Sequence, residues 1–181
     1  QEAYTPWEWH EELMQVAKEE GLGCFSSPFD KTAVDLLESL NAPAYKIASF
    51  EITDIPLIEY VASKGKPIII STGIATTEDI ELALDVCKKM GNNDIALLKC
   101  TSSYPAPIEE ANMIMVKDIA ERYGVISGLS DHTIGSTVPI VATCFGAQII
   151  EKHFIMDRSI GGPDASFSMD EEEFTAMVCS V

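Results

Sequence analysis

The feature that most constrains this chain is a regular alternation of two hydrophobic periods. Short runs rich in β-branched residues, such as KPIIIST at 66–72, are each followed by a longer segment with helical spacing, such as TEDIELALDVCKKMG at 77–91. The first kind suits a strand buried on both faces, as in a parallel sheet covered by helices. Six such strands are predicted: GCFSS (23–27), AYKIAS (44–49), KPIIIST (66–72), DIALLKCTS (94–102), VISGLS (125–130) and AQIIEKHF (147–154). A strand followed by a helix, repeated every twenty to thirty residues or so, implies parallel strands joined by right-handed crossovers.

The helix boundaries carry their own signals. TPWEWHEELMQVAKEEG (5–21) has Thr5 at the N-cap, Pro6 at the first helical position and Gly21 beyond the end. Asp30 caps the next helix (29–40), and IPLIEYVASKG (55–65) forms another. Thr76 or Thr77 starts 77–91, with Glu78 and Asp79 in its first turn. Helices are also expected over 108–124 and 136–146, and a last one near Ser168–Asp170, where Ser168 with Glu171 reads as a capping box.

Six strands fit either a doubly wound open sheet or an incomplete (β/α)8 TIM barrel, which typically needs about 250 residues. The polar residues favour the barrel. Nearly every strand ends in reactive groups: Ser26 and Ser27; Lys46, Ser49 and Glu51; Ser71 and Thr72; Lys99 and Thr101; Ser130 and His132; Lys152 and His153. A barrel gathers such ends at one mouth, whereas an open sheet strings them along an edge. The expectation is a partial barrel over 1–181, with about six βα units and the first two strands missing.

Composition narrows the function. With 181 residues and 46% hydrophobic content, the chain can bury a sizeable core. No run approaches the ~18 to 20 apolar residues of a membrane span, and the acidic, aromatic N-terminus is unlike a signal peptide. A cytoplasmic protein with no membrane contact is expected. A net charge of −17 argues against nonspecific nucleic-acid partners. The five cysteines are scattered without a C-x-x-C pair, which points to reduced thiols, with Cys24, Cys100 and Cys144 as packing residues.

Against so few cations, Lys46, Lys99 and Lys152 are conspicuous inside apolar strands. A buried ammonium needs an anionic partner. Each could pair with a neighbouring acid, but three at corresponding strand ends point to a bound anion. Ser27, Ser49, Ser71, Ser102 and Ser130 would add hydroxyl donors around it. His132 and His153, from neighbouring strands, could reach one divalent ion and leave positions open for substrate, a Lewis-acid arrangement. His10 has no role. Glu51 is the best-placed carboxylate for proton transfer. Asp164, in a Gly/Pro-rich loop, could meet substrate hydroxyls or the metal's surroundings, although such a loop is also commonly a plain turn.

FSSPFD, YKIASFE, PIIISTG, LLKCTSSYPAP, GLSDHTIGS and IEKHF…GPDASFSMD follow, in order, the signature segments of the sialic acid synthase family, which the chain resembles over nearly its whole length. Family members condense phosphoenolpyruvate with an open-chain acetamido sugar aldehyde. YTPWEWHEELMQVAKEEG, NAPAYKIAS and SFEITDIPLI look most like the pseudaminic acid synthase branch, with N-acetylneuraminate, legionaminic acid and spore-coat polysaccharide synthases as alternatives.

The resemblance implies a set of roles. His132 and His153 would hold manganese or magnesium, and Glu51 would be the catalytic carboxylate. Lys46, Ser49, Ser71, Ser130 and Ser27 would bind phosphoenolpyruvate, while Tyr104 and Asp164 would meet the sugar. Lys99 stands where the family varies between lysine and histidine, and Ser102 where many members have asparagine. The implied reaction has phosphoenolpyruvate attack the metal-polarised aldehyde through C3, water add at C2, and phosphate leave by C–O cleavage. The resemblance also implies a homodimer in the full-length protein, two earlier strands, and a C-terminal antifreeze-like domain that this sequence lacks. Two other readings stand beside it: a Schiff-base aldolase using Lys46 or Lys99, and an inactive fragment of such an enzyme.

Overall fold

The structure is a computed structural model that describes residues 5–181. Its strands run parallel in the order β1-β2-β3-β4-β5, without the reversal that marks a doubly wound sheet. With helices between the strands, this is an incomplete (β/α) barrel, as expected. The described residues divide into two compact units, 5–70 with 75–95 and 71–74 with 96–181.

In the first unit, α1 (His10–Glu19) leads through an extended segment to α2 (Lys31–Ser39), β1 (Tyr45–Ile47) and α3 (Ile55–Ala62). β2 (Ile68–Ser71) and α4 (Thr77–Lys89) follow. β1 and β2 pair in parallel, with Tyr45 opposite Ile68 and Ile47 opposite Ile70; all four side chains are fully buried. Val34 and Leu37 of α2, Ile58 and Val61 of α3, and Leu84 and Cys87 of α4 are buried as well. The predicted caps are present: the Asp30 carboxylate accepts from Ala33 N at 2.9 Å, and Thr76 with Asp79 closes a capping box.

Two expectations fail in this unit. GCFSS is not a strand. Lys46 N donates to Ser26 O at 3.2 Å, but residues 23–27 form no ladder with β1. Nor does Thr5 cap the first helix. Trp7–Trp9 form one 3-10 turn after Pro6, and the α-helix begins only at His10.

The second unit holds β3 (Ile95–Cys100), α5 (Ile114–Tyr123), β4 (Ile126–Asp131), α6 (Thr137–Cys144), β5 (Ile149–Lys152) and α7 (Glu171–Val178). β4 pairs in parallel with both β3 and β5. Leu129 packs with Met113, Val116, Val138 and Ala142, and Ile150 lies against that cluster. Gly128 sits where β5 comes closest: a Cβ there would stand 2.3 Å from Ile149 O and 2.7 Å from Leu98 Cδ2. Only glycine fits.

Three further expectations are corrected here. The helix predicted over 108–124 is a 3-10 turn at Ile108–Glu110 followed by α5, because Asn112 adopts φ +46° and breaks the helical path. The last helix is capped by Asp170 and Glu173, not by Ser168 and Glu171; the buried Ser168 hydroxyl donates instead to Asp164 O at 2.8 Å. Cys144, expected to pack inside, is exposed at the end of α6. Among the described residues no helix is long and apolar enough to cross a membrane.

Candidate active site

The second unit places its predicted site residues where β3, β4 and β5 end. Side chains alternate across a strand, so Ser130 and Glu151, opposite one another in the β4–β5 register, share a face. The Ser130 hydroxyl donates to Glu151 Oε1 at 2.6 Å. One step past each strand end come His132 and His153, with ring centroids 5.2 Å apart.

The His132 tautomer follows from its partner. Its Nδ1 lies 3.0 Å from the carbonyl oxygen of Thr101, which can only accept, so Nδ1 carries the proton and Nε2 keeps a lone pair. His153 Nδ1 stands 3.6 Å from Asp164 Oδ2. Tyr104 closes over both imidazoles, at centroid distances of 4.2 Å to His132 and 6.2 Å to His153. Phe167 completes the wall, 5.0 Å from His153 and 5.8 Å from Tyr104.

The two imidazoles titrate differently. For His132, burial disfavours the charged ring, but contacts with the Cys100 thiol and the Thr101 carbonyl, with the Asp131 charge, outweigh it and hold the group above its ordinary value. For His153, burial and the neighbouring His132 push it below, despite Asp164 and Glu151. Two imidazoles with ring centroids 5.2 Å apart, one with its Nε2 lone pair free, are donors of the kind that suit a divalent cation. Among the described residues no group of three or more His, Cys, Asp or Glu side chains is disposed around a metal position.

Lys99 Nζ donates to Cys100 O at 2.8 Å and Thr101 Oγ1 at 2.9 Å, beside a 350 Å³ cavity that Ser102, Ser103 and Glu110 also line. Burial lowers its pKa, against the opposing influence of Cys100 and Glu110. Ser71, at the end of β2, is buried. Lys152 departs from expectation. It faces away from the histidines into a buried ion pair with Asp131 at 2.6 Å, so it is a structural cation and not part of an anion site.

In the first unit, Lys46 and Ser49 are buried at the end of β1, and Lys46 Nζ is 3.4 Å from Ile47 O. Glu51 lies in the 3-10 turn Ser49–Thr53, and its Oε2 is buried without a hydrogen-bond partner. Such an orphan oxygen is costly unless a proton or ligand meets it. Ser27 lines a cavity of 170 Å³ with Trp7, His10 and Phe29. Sequence reasoning gave no role to Phe167, to Glu151 or to the carbonyl of Thr101. A lone aromatic within the polar loop DASFSMD was the available signal for Phe167; nothing in the sequence marks a backbone carbonyl.

The NeuB family model matches residues 1–181. The chain belongs to the NeuB family. It is 54% identical over 178 residues to the pseudaminic acid synthase of Helicobacter pylori, a match covering 98% of this chain and 52% of that protein. Two solved structures superpose with a TM-score of 0.94 and cover 98% of the chain. One is the spore coat polysaccharide biosynthesis protein spsE of Bacillus subtilis (36% identity, 50% of that chain), and the other the N-acetylneuraminic acid synthetase of Leptospira borgpetersenii in complex with citrate (32% identity, 62% of that chain). The chain thus spans about half the length of the NeuB relatives it matches.

Proposed function

We propose that the intact protein condenses phosphoenolpyruvate with an open-chain acetamido sugar aldehyde and water, giving a nonulosonic acid and phosphate. The product proposed is pseudaminic acid, from a 2,4-diacetamido-2,4,6-trideoxy hexose. Identity of 54% to a pseudaminic acid synthase, against 36% and 32% for the spore-coat and N-acetylneuraminate relatives, supports that branch. The observation that carries the reaction class is the facing pair of imidazoles at adjacent strand ends, with Tyr104 over them.

In this reading His132 and His153 hold a manganese or magnesium ion, which when bound supplies Lewis-acid polarisation of the sugar's aldehyde oxygen. The chain's own groups do the rest. Thr101 O fixes His132 in the tautomer whose Nε2 can ligate. Tyr104 and Phe167 exclude water from the carbon that must meet C3 of phosphoenolpyruvate. By the family resemblance, Lys46, Ser49, Ser71, Lys99 and Ser27 bind phosphoenolpyruvate, fixed donors of this kind being each worth ~3 to 4 kcal/mol in the transition state; Ser130, whose proton goes to Glu151 Oε1, joins them by turning its hydroxyl to the phosphate. Ser102 and Asp164 contribute polar contacts to substrate. C3 attack turns the aldehyde oxygen into an alkoxide and leaves positive character at C2; water adds at C2 as Glu51 takes its proton, and a proton is returned to the alkoxide. The C2–O bond to phosphate then breaks as the new C2 hydroxyl gives its proton to the departing phosphate and becomes the ketone.

The test is phosphate release by the full-length protein with phosphoenolpyruvate and a panel of amino-sugar aldehydes, with and without manganese. Release that is dependent on the diacetamido trideoxy sugar and abolished by chelator is expected. One observation favours a second reading. The lowered pKa of Lys99 suits a Schiff-base lysine, in which case borohydride would trap a pyruvyl adduct and chelator would have no effect.

A further inference from the structure

The last rung of the β4–β5 ladder sets Asp131 opposite Lys152. Their side chains lie on the face opposite Ser130 and Glu151 and are 2% and 1% exposed. Lys152 Nζ has three protons and three acceptors: Asp131 Oδ2 at 2.6 Å, Gly135 O at 3.1 Å, and Thr133 O. The Asp131 carboxylate is equally occupied, since Thr133 N donates to Oδ1 and Thr133 Oγ1 to Oδ2, each at 3.0 Å. His132 is thus held between two residues, Asp131 and Thr133, that both bind the ammonium of Lys152. Lys152 is in turn the chain neighbour of His153.

The geometry points to Asp131 and Lys152 as positioning residues that set the separation and orientation of the His132 and His153 imidazoles. This rests on the reading of those histidines as metal ligands. A buried ion pair is weak evidence for stability, because desolvation offsets the attraction, and an apolar pair of similar volume often serves as well. What an apolar pair cannot do is tie residues 131, 133, 135 and 152 to one nitrogen. The ladder alone fixes the backbone to Asp131 and Lys152 and ends there. Beyond it, His132 O accepts from Ala106 N and His153 O from Met169 N, each at 2.9 Å, so each histidine is tied to its own neighbouring loop. The ammonium adds a tie between the two segments: it joins Thr133 and Gly135, past the end of β4, to Lys152 at the end of β5, on the rear face, where it leaves the substrate face unobstructed.

The experiment uses the full-length protein, its K152M variant, and the neutral pair D131N/K152Q, which keeps a hydrogen bond but drops the charges. Cobalt(II) is titrated and followed by its visible absorption, circular dichroism reports folding, and crystal structures give the ring separation. Expected for either folded variant is a 10- to 100-fold weaker cobalt dissociation constant, the range found when support behind a ligand is lost. A shifted d–d band and a fall in kcat with the KM for phosphoenolpyruvate nearly unchanged should accompany it. A folded variant with wild-type cobalt affinity and spectrum overturns the proposal, whatever its melting temperature. If K152M does not fold, D131N/K152Q decides. If the wild type binds no cobalt, the metal reading fails and the positioning claim is judged by coordinates: a ring separation in D131N/K152Q unchanged from the wild type overturns it, and a changed one supports it.

Discussion

At the scale of single residues, one backbone oxygen decides much of the chemistry. Because Thr101 O accepts from His132 Nδ1, the ring presents Nε2 in one fixed tautomer. Replacing His132 or His153 by alanine in the full-length protein should lower phosphate release by ~10³-fold, the equivalent of several kcal/mol of lost charge stabilisation; a coupled phosphate assay measures it. Glu51→Gln should cost ~10² to 10⁴-fold in kcat, since the amide cannot take a proton, with the KM for phosphoenolpyruvate little changed. The two imidazoles also predict a pH profile for the metal-free protein. His153, held below its ordinary value, contributes stability that is present above the unfolded pKa and lost as pH falls through its folded value. His132, held above, contributes stability that is full below the unfolded pKa and lost as pH rises through its folded value. Together they place a maximum near the ordinary histidine pKa of about 6.5. Thermal melts across pH should show His153→Gln flattening the acid limb and His132→Gln the alkaline one.

At the scale of elements, the contact between β4 and β5 is the most exacting. Gly128→Ala would drive a methyl group into Ile149 O and Leu98, and backbone cannot move aside as a side chain can. Destabilisation of about 1–3 kcal/mol or more is expected from overpacking, read by urea unfolding, with cobalt affinity reduced because β4 and β5 carry the histidines. The loop from β5 to α7, which bears Asp164 and Phe167, is closed differently. Arg158 reaches Ser168 O, Asp170 and Glu173, and Asp170 also caps α7 through Glu173 N at 3.0 Å. Asp170→Ala should therefore cost about 1 kcal/mol as a lost cap, measurable as a lower melting temperature. Helix starts were legible where a cap side chain acts on its own helix, as with Asp30 and Thr76. They were misread at Asn112 and Ser168, where a left-handed residue and a competing bond to Asp164 O set the boundary.

At the scale of the whole molecule, the alternation of periods was enough to identify parallel βα units, because a strand buried on both faces and a helix with one apolar stripe have different repeats. The polar strand ends then separated the barrel from the doubly wound sheet, and the ordered strands agree. The sequence by itself determined which residues are candidates: Lys46, Glu51, His132 and His153 stand out because charged or metal-binding groups are costly inside apolar runs. Only the tertiary structure decided what each of them meets. Lys152 looked like Lys46 and Lys99 on the page, yet it turns to the rear face and is neutralised by Asp131, whereas Lys99 keeps to backbone and hydroxyl partners. The reason is physical. Alternation along a strand says that neighbours face opposite ways, but which face is rear, and which acid across the ladder lies within 2.6 Å, depends on register between segments far apart in the chain.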